Sequence, residues 1–307
     1  MVAKVILNPY AGRWTAGKRR EEMEAALKSA GVEYQLELTQ GLHHGTQLAS
    51  LAALDGFSPI IAAGGDGTIS EIANGILRAA GDNSAVPLGI IPLGTANDLV
   101  VNLGLPKDLR EATQVIAAGR VRPMDIGQVT HNGNNIPRFF DNNSAMGLEP
   151  TVTLIQQRIT RLKGVLRYLV ATLIGVYQNP HWNVHIQWEG GEYQGLVTLV
   201  TVGNCPLTGG LFYMTPHADP FDKKLTFVYA YLPTRLQILK ILPRTMKPGG
   251  GSYVEHPAVH EIHSPWLKLA FDSPTPLHAD GEIQSRQASR IEYTTLPARL
   301  PVIVNSA

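Results

Sequence analysis

Three short clusters in the sequence place carboxylates among glycines and small hydroxyl residues, a combination suited to handling phosphate and moving a proton. The first is Gly64-Gly65-Asp66-Gly67-Thr68, which follows the apolar run Ile60–Ala63 and precedes Ile69, Ile72, Ala73, Ile76 and Leu77 at helical spacing. Glycines where a strand passes into a helix let backbone N–H groups approach an anion, with the helix N-terminus aimed at it. Asp66 would repel that anion unless a cation or a transferable proton gives it a purpose. Thr68-x-x-Glu71 reads as a capping box for the helix. The second cluster, Gly94-Thr95-Ala96-Asn97-Asp98, stands just beyond another buried run, Leu88–Ile91. On its own it reads as a polar turn; beside the first cluster it could enclose a nucleotide phosphate tail. The third, His278-Ala279-Asp280-Gly281-Glu282, reads first as a hairpin turn. The alternative is that Asp280 accepts a proton from a substrate hydroxyl.

Other combinations fail on a specific residue. Gly12-x-x-x-x-Gly17-Lys18 would open a P-loop, but Arg19 stands where magnesium needs a hydroxyl. Arg13, Lys18 and Arg19 could still offset phosphate charge. The ten histidines are scattered without zinc-ligand spacing, and Cys205 is the only cysteine, so neither a cysteine zinc site nor an intramolecular disulfide is expected. Neither a Gly-x-Ser-x-Gly elbow nor a Gly-x-Gly-x-x-Gly turn follows a strand.

The elements that must carry these clusters fall into two regions. Apolar runs at 4–7, 34–38, 60–63 and 88–91 alternate with helical patterns at 18–30, 46–54, 69–80 and 109–118. That alternation predicts a doubly wound α/β domain over 1–124, with ligands outside the carboxyl ends of its strands. From Asp125 a two-residue period takes over, clearest in Trp182, Val184, Ile186 and Trp188, followed by a Gly190-Gly191 turn and a strand over 196–202. Further strands at 225–231, 259–263, 267–271 and 291–293 predict an antiparallel β-sandwich over 125–307, its last residues able to pack back on the first domain. A helix over 151–177 interrupts it, with Ile155, Ile159, Leu162, Leu166, Leu169, Leu173 and Tyr177 in one stripe flanked by Arg158, Arg161, Lys163 and Arg167. The stripe should pack on a sheet; a second reading is a surface that meets anionic lipid headgroups. A net charge of +1 argues against a nucleic-acid partner. The apolar part of the start is too short for a signal peptide, and the 166–177 stretch falls short of a transmembrane segment.

Taken together and in order, the clusters resemble the diacylglycerol kinase catalytic-domain family, which includes bacterial lipid kinases and the sphingosine and ceramide kinases. The resemblance also takes in Asn8-Pro9, Thr39, Asp125-Ile126-Gly127, Gly203-Asn204, Gly209-Gly210 and Pro216-x-Ala218. It implies ATP binding by Asn8, Thr39, Gly64, Gly65, Asp66, Gly67, Thr68 and Thr95, with Asp66 and Asp98 organising Mg2+. It implies Asp280 as general base, supported by Glu282. A structural magnesium site would fall on Asp222 with carbonyls of Asp219 and Lys224. The usual Asp-Gly-x-Leu of that loop is Asp222-Lys223-Lys224-Leu225 in this chain, and the aromatic-Ala-Arg that commonly follows Asn-Asp is Leu99-Val100-Val101. The expectation is an ATP-dependent lipid kinase acting on a primary hydroxyl of a diacylglycerol-like or sphingoid-like lipid. It would be cytoplasmic and peripheral at the inner membrane face, with a homodimer among the expected assemblies. The alternatives are a soluble-substrate kinase of the NAD kinase type and a catalytically weak lipid or nucleotide sensor.

Overall fold

The computed structural model describes residues 2–81, 83–159, 164–178 and 180–305, without the side chains of 135, 164–166 and 168. The chain divides into two units, Met1–Ile126 with Leu296–Ala307, and Gly127–Thr295.

In the first unit the expected alternation appears as β1 (Ala3–Leu7), a short turn α1 (Ala11–Trp14), α2 (Arg20–Ser29), β2 (Tyr34–Leu38), α3 (His44–Leu54), β3 (Ile60–Gly64), α4 (Asp66–Ala80), β4 (Leu88–Pro92), α5 (Asp98–Asn102) and α6 (Leu109–Ala118). All of the strands are parallel, in the order β2-β1-β3-β4. Val5, Leu7, Ile61, Ala63 and Ile91 face a core shared with Met23 and Leu27 of α2 and Leu109 and Ile116 of α6. Their neighbours Ile6, Ile60, Ala62 and Ile90 are also buried, so the sheet is covered on both faces. The chain runs from β1 out to β2, then crosses back over β1 to β3 and on to β4. The carboxyl ends of β1 and β3 therefore flank the topological switch point, where open α/β sheets bind ligands. Residues 12–19 are no P-loop: Gly12, Arg13 and Trp14 take positive φ, and Arg19 pairs with Glu22.

The capping box does not form. Gly65 is the N-cap, which puts Thr68 inside the first turn rather than ahead of it. Glu71 instead accepts the N–H groups of His43 and Gly45, each at 2.9 Å, and ties the start of α3 to α4.

The second unit begins within β5 (Val121–His131) and continues through β6 (Asn134–Phe140), β7 (Asn143–Gly147), α7 (Leu148–Arg158), α8 (Gly164–Gln178), β8 (Trp182–Trp188), β9 (Gly191–Val197), β10 (Leu199–Gly203), β11 (Leu207–Thr208), β12 (Phe212–Tyr213), β13 (Leu225–Ala230), α9 (Arg235–Ile241), β14 (Val259–Ser264) and β15 (Trp266–Ala279). The final strand, β16 (Glu282–Ile303), leaves this unit for the first, where Val302 pairs in parallel with Leu88 of β4. β15 builds the sandwich by serving two layers. Its first half pairs with β8, its last residues pair with β7, and a register shift separates them. Phe140, Val184, Ile186, Val202, Phe227, Leu269 and Ile291 fill the space between the layers.

Three expectations change in detail. The hairpin after Trp188 turns on Glu189-Gly190, with Gly191 already paired to Trp188. The strand expected over 196–202 breaks at Thr198, whose hydroxyl takes the Leu232 N–H at 2.9 Å, so β9 and β10 join different partners. The helix expected over 151–177 is two helices, because Ile159 is extended; Arg161, Leu162 and Lys163 lie outside the described residues. Its apolar stripe also divides. Ile155 packs on the core while Leu169, Leu173 and Tyr177 are exposed, and α8 buries Ala171, Thr172, Gly175 and Val176.

Candidate active site

The α/β unit gathers its predicted residues at one sheet edge. Leu93 donates its N–H to the Gly64 carbonyl at 2.8 Å, and Asn8 extends β1 by donating to Ala63 at 3.0 Å. The Asn8 amide nitrogen then reaches Thr68 Oγ1 at 2.9 Å, fixing the first turn of α4 from the neighbouring strand. The two glycine clusters touch: a Cβ on Gly94 would lie 2.4 Å from Gly65 Cα and 2.6 Å from Asn97 Oδ1. Only glycine permits that approach, so this close contact explains the residue type at both positions. Thr39 is buried just past β2, donating its N–H to Leu7, and Thr95 is exposed on the second loop.

Asp66 is the first residue of α4. Its carboxylate accepts N–H groups from Asn97 at 2.9 Å and Leu99 at 3.4 Å, clamping the Gly94–Asp98 loop against the α4 terminus. Burial raises its pKa above the ordinary aspartate value, and backbone N–H groups of Leu99, Asp98 and Asn97 oppose that rise. Asp98 is buried at the start of α5. In the sequence Asn97 stands in the second cluster without an assigned role; it takes φ +54° and ties its side chain to both the N–H and the carbonyl of Gly94. The available signal was asparagine's tolerance of that conformation.

In the β unit the Ala279–Glu282 turn is a hairpin, as its residue types suggest, with Asp280 and Gly281 both at positive φ. The same turn aims the Asp280 carboxylate at Asp141-Asn142-Asn143. Oδ1 accepts the N–H groups of Asn142 and Asn143, each at 3.1 Å, and Oδ2 accepts that of Asp141 at 3.2 Å. Glu282 pairs with the largely buried Arg138 at 3.1 Å, which balances its charge. Behind this turn Asn143 donates to Glu149 Oε1 at 3.0 Å, and the buried His278 Nε2 stands 3.1 Å from the same oxygen. Arg138, Asn143 and Glu149 were not singled out from the sequence, since each acts through a partner far along the chain.

The Asp219–Leu225 loop keeps a tight form despite losing its glycine. Lys223 takes φ +68°, the Asp222 carboxylate accepts the Lys224 N–H at 2.9 Å, and that of Asp219 accepts the Phe221 N–H at 3.0 Å. Asp219 and Asp222 are both exposed, and each gives Oδ1 to an N–H group of its own loop.

An α/β sheet with a glycine-lined switch point and a β-sandwich that holds a carboxylate on a hairpin are the parts of a phosphotransferase. Family models agree: "Diacylglycerol kinase catalytic domain" matches residues 2–129, and "YegS C-terminal NAD kinase beta sandwich-like domain" matches residues 143–304. The chain belongs to the diacylglycerol kinase family, and thereby to the kinases. It is 28% identical over 282 residues to a diacylglycerol kinase of Bacillus subtilis, covering 91% of this chain and 89% of that one. A Xanthomonas euvesicatoria protein named "Probable lipid kinase YegS-like" is 27% identical over 299 residues, covering 97% and 94%. A solved diacylglycerol kinase structure from Bacillus anthracis superposes with a TM-score of 0.76 at 21% identity, covering 99% of this chain and 97% of that one.

Proposed function

We propose that this chain is an ATP-dependent lipid kinase that phosphorylates a primary hydroxyl on a diacylglycerol-like or sphingoid-like lipid. The observation that carries the proposal is the Asp280 carboxylate, oriented by consecutive N–H groups in a chain whose relatives are named diacylglycerol kinases. Phosphoryl transfer asks a protein mainly for positioning and charge stabilisation. Asn8, Thr39, Gly64–Thr68 and Thr95 would bind the nucleotide. The contact of Gly65 with Gly94 leaves no Cβ to block a phosphate, which supports the fit. Asp66 and Asp98 would organise Mg2+, which when bound offsets phosphate charge. Asp66 would act through water, because its carboxylate is already engaged by backbone N–H groups.

Asp280 would take the hydroxyl proton, while Glu282, balanced by Arg138, keeps the turn in place. Asp219, Asp222 and the Lys224 carbonyl enter no step. The protein would work in the cytoplasm, at the inner membrane face. The test is transfer from labelled ATP to a panel of lipids in mixed micelles; no lipid-dependent transfer from any class would reject the proposal. The description of the C-terminal family model favours a second reading, a soluble-substrate kinase of the NAD kinase type. Phosphorylation of NAD with no transfer to lipid would select it.

A further inference from the structure

We infer that α8 and α9 form a surface that docks on an anionic lipid bilayer. The inference rests on the kinase reading for its purpose, but on the β unit alone for its geometry.

α8 has its apolar stripe on the outside. It packs through small residues: a Cβ on Gly175 would lie 3.0 Å from Val152 Cγ2 and 3.3 Å from Leu148 Cδ1. Packing by that face turns Leu169, Leu173 and Ile174 to solvent, Leu173 at 55% exposure, with Tyr177 at 70%. α9 does the same. Ile238 and Ile241 join the core cluster that holds Ala171 and Val176, while Leu236 is 61% and Leu239 40% exposed. The two helices meet where the Arg235 guanidinium lies 4.4 Å from the Tyr177 ring centroid. Isolated exposed leucines need no explanation, but aliphatic side chains clustered on adjoining helices mark a contact surface.

Charge identifies the occupant. Residues 164–178 and 235–254 hold Arg167, Arg235, Lys240, Arg244 and Lys247 and no acidic residue, in a chain whose net charge is +1. Arg244 is taken up by the carbonyls of Gly251 and Ser252 beside Glu255, and Arg167 is half-buried, which leaves Arg235 and Lys240 as exposed cations on α9 itself and Lys247 exposed further along the chain. A second copy of the chain would bring the same positive rim against this one. An anionic bilayer complements it, taking leucines into the acyl boundary while cations and Tyr177 stay among the headgroups.

The experiment is sedimentation of the purified full chain with vesicles of phosphatidylcholine alone or mixed with phosphatidylglycerol. Wild-type protein should bind the mixed vesicles, and less as salt rises. Arg235→Gln with Lys240→Gln should weaken partitioning about 25-fold, roughly fivefold for each cation removed. Leu236→Ser with Leu239→Ser, and separately Leu173→Ser with Ile174→Ser, should lose binding with circular dichroism unchanged. Phosphorylation of a monomeric, short-chain diacylglycerol should persist in all three, which separates this surface from the kinase reading itself. Absence of wild-type binding, or folded variants that bind as well as wild type, would overturn the inference. So would a patch whose loss abolishes self-association but leaves vesicle binding intact.

Discussion

Asp280 and Asp66 hold their carboxylates against backbone N–H groups, with different consequences. Asp280 sits on a hairpin whose own backbone donates to Asn143, so turn and acceptor segment fix each other. Asp280→Asn swaps one acceptor oxygen for an amide that faces an N–H donor. We expect phosphoryl transfer to fall by about 10²–10⁴ through loss of the proposed base. Unfolding should also show a loss of about 1–3 kcal/mol. Nucleotide affinity should not change, because the residues proposed to hold the nucleotide belong to the other unit. Asp66 is different, because burial dominates and raises its pKa. A raised native value means that the charged form is worse off in the folded chain than in the unfolded one. The penalty is absent below the unfolded carboxylate range, grows as pH climbs through the raised value, and is constant above it. Melting in metal-free buffer should therefore find the Asp66→Asn variant gaining on wild type between the acid limit of folding and pH 7. The identities of both residues were legible from their glycine neighbours. Their hydrogen-bond donors were not, because every N–H group looks alike in a sequence.

At the scale of elements, the two glycine loops and the Asp219–Leu225 turn respond to side-chain changes in opposite directions. Gly94→Ala pushes a methyl group into Gly65, and overpacking of that kind costs about 1–3 kcal/mol. Equilibrium unfolding should register that loss, and nucleotide titration a loss of affinity, whereas the exposed Thr95→Ala should leave stability within about 0.5 kcal/mol. Lys223→Gly should stabilise. The left-handed backbone costs a lysine about 1–2 kcal/mol, and the extra freedom of glycine when unfolded returns part of it, for a net gain below ~1 kcal/mol. If the turn closes without a cation, a chelator should leave the wild-type Tm unchanged, since Asp219 and Asp222 each already hold a loop N–H group. The α/β elements were readable because buried parallel strands form continuous apolar runs and their helices keep a clean period. β5 to β7 were missed because Arg122, Pro123, Asn134 and Arg138 interrupt the alternation. The orientation of α8 was also misread. Its bulkiest residues suggested the core, but small residues won that place through closer packing with α7.

For the whole molecule, the decisive feature is the return of the chain to its first unit. Ala298 donates to the buried Asp125 at 2.6 Å, Val304 donates to Arg120, and Leu300, Val302 and Ile303 are buried beyond the crossing. Each such side chain is worth about 1.5–3 kcal/mol, and three approach the whole stability of an ordinary domain. Truncation after Thr295 should thus abolish cooperative melting of the α/β unit, and proteolysis should degrade that unit first. Asp125 stood out in the sequence as part of Asp-Ile-Gly, but its partner lies too far along the chain for spacing to reveal.

The same return has a consequence for biosynthesis. β4 emerges early from the ribosome, with one edge open until residues 296–304 follow. The α/β half therefore cannot be completed until the whole β unit has been made, and its unpaired edge must be kept from other nascent chains until then.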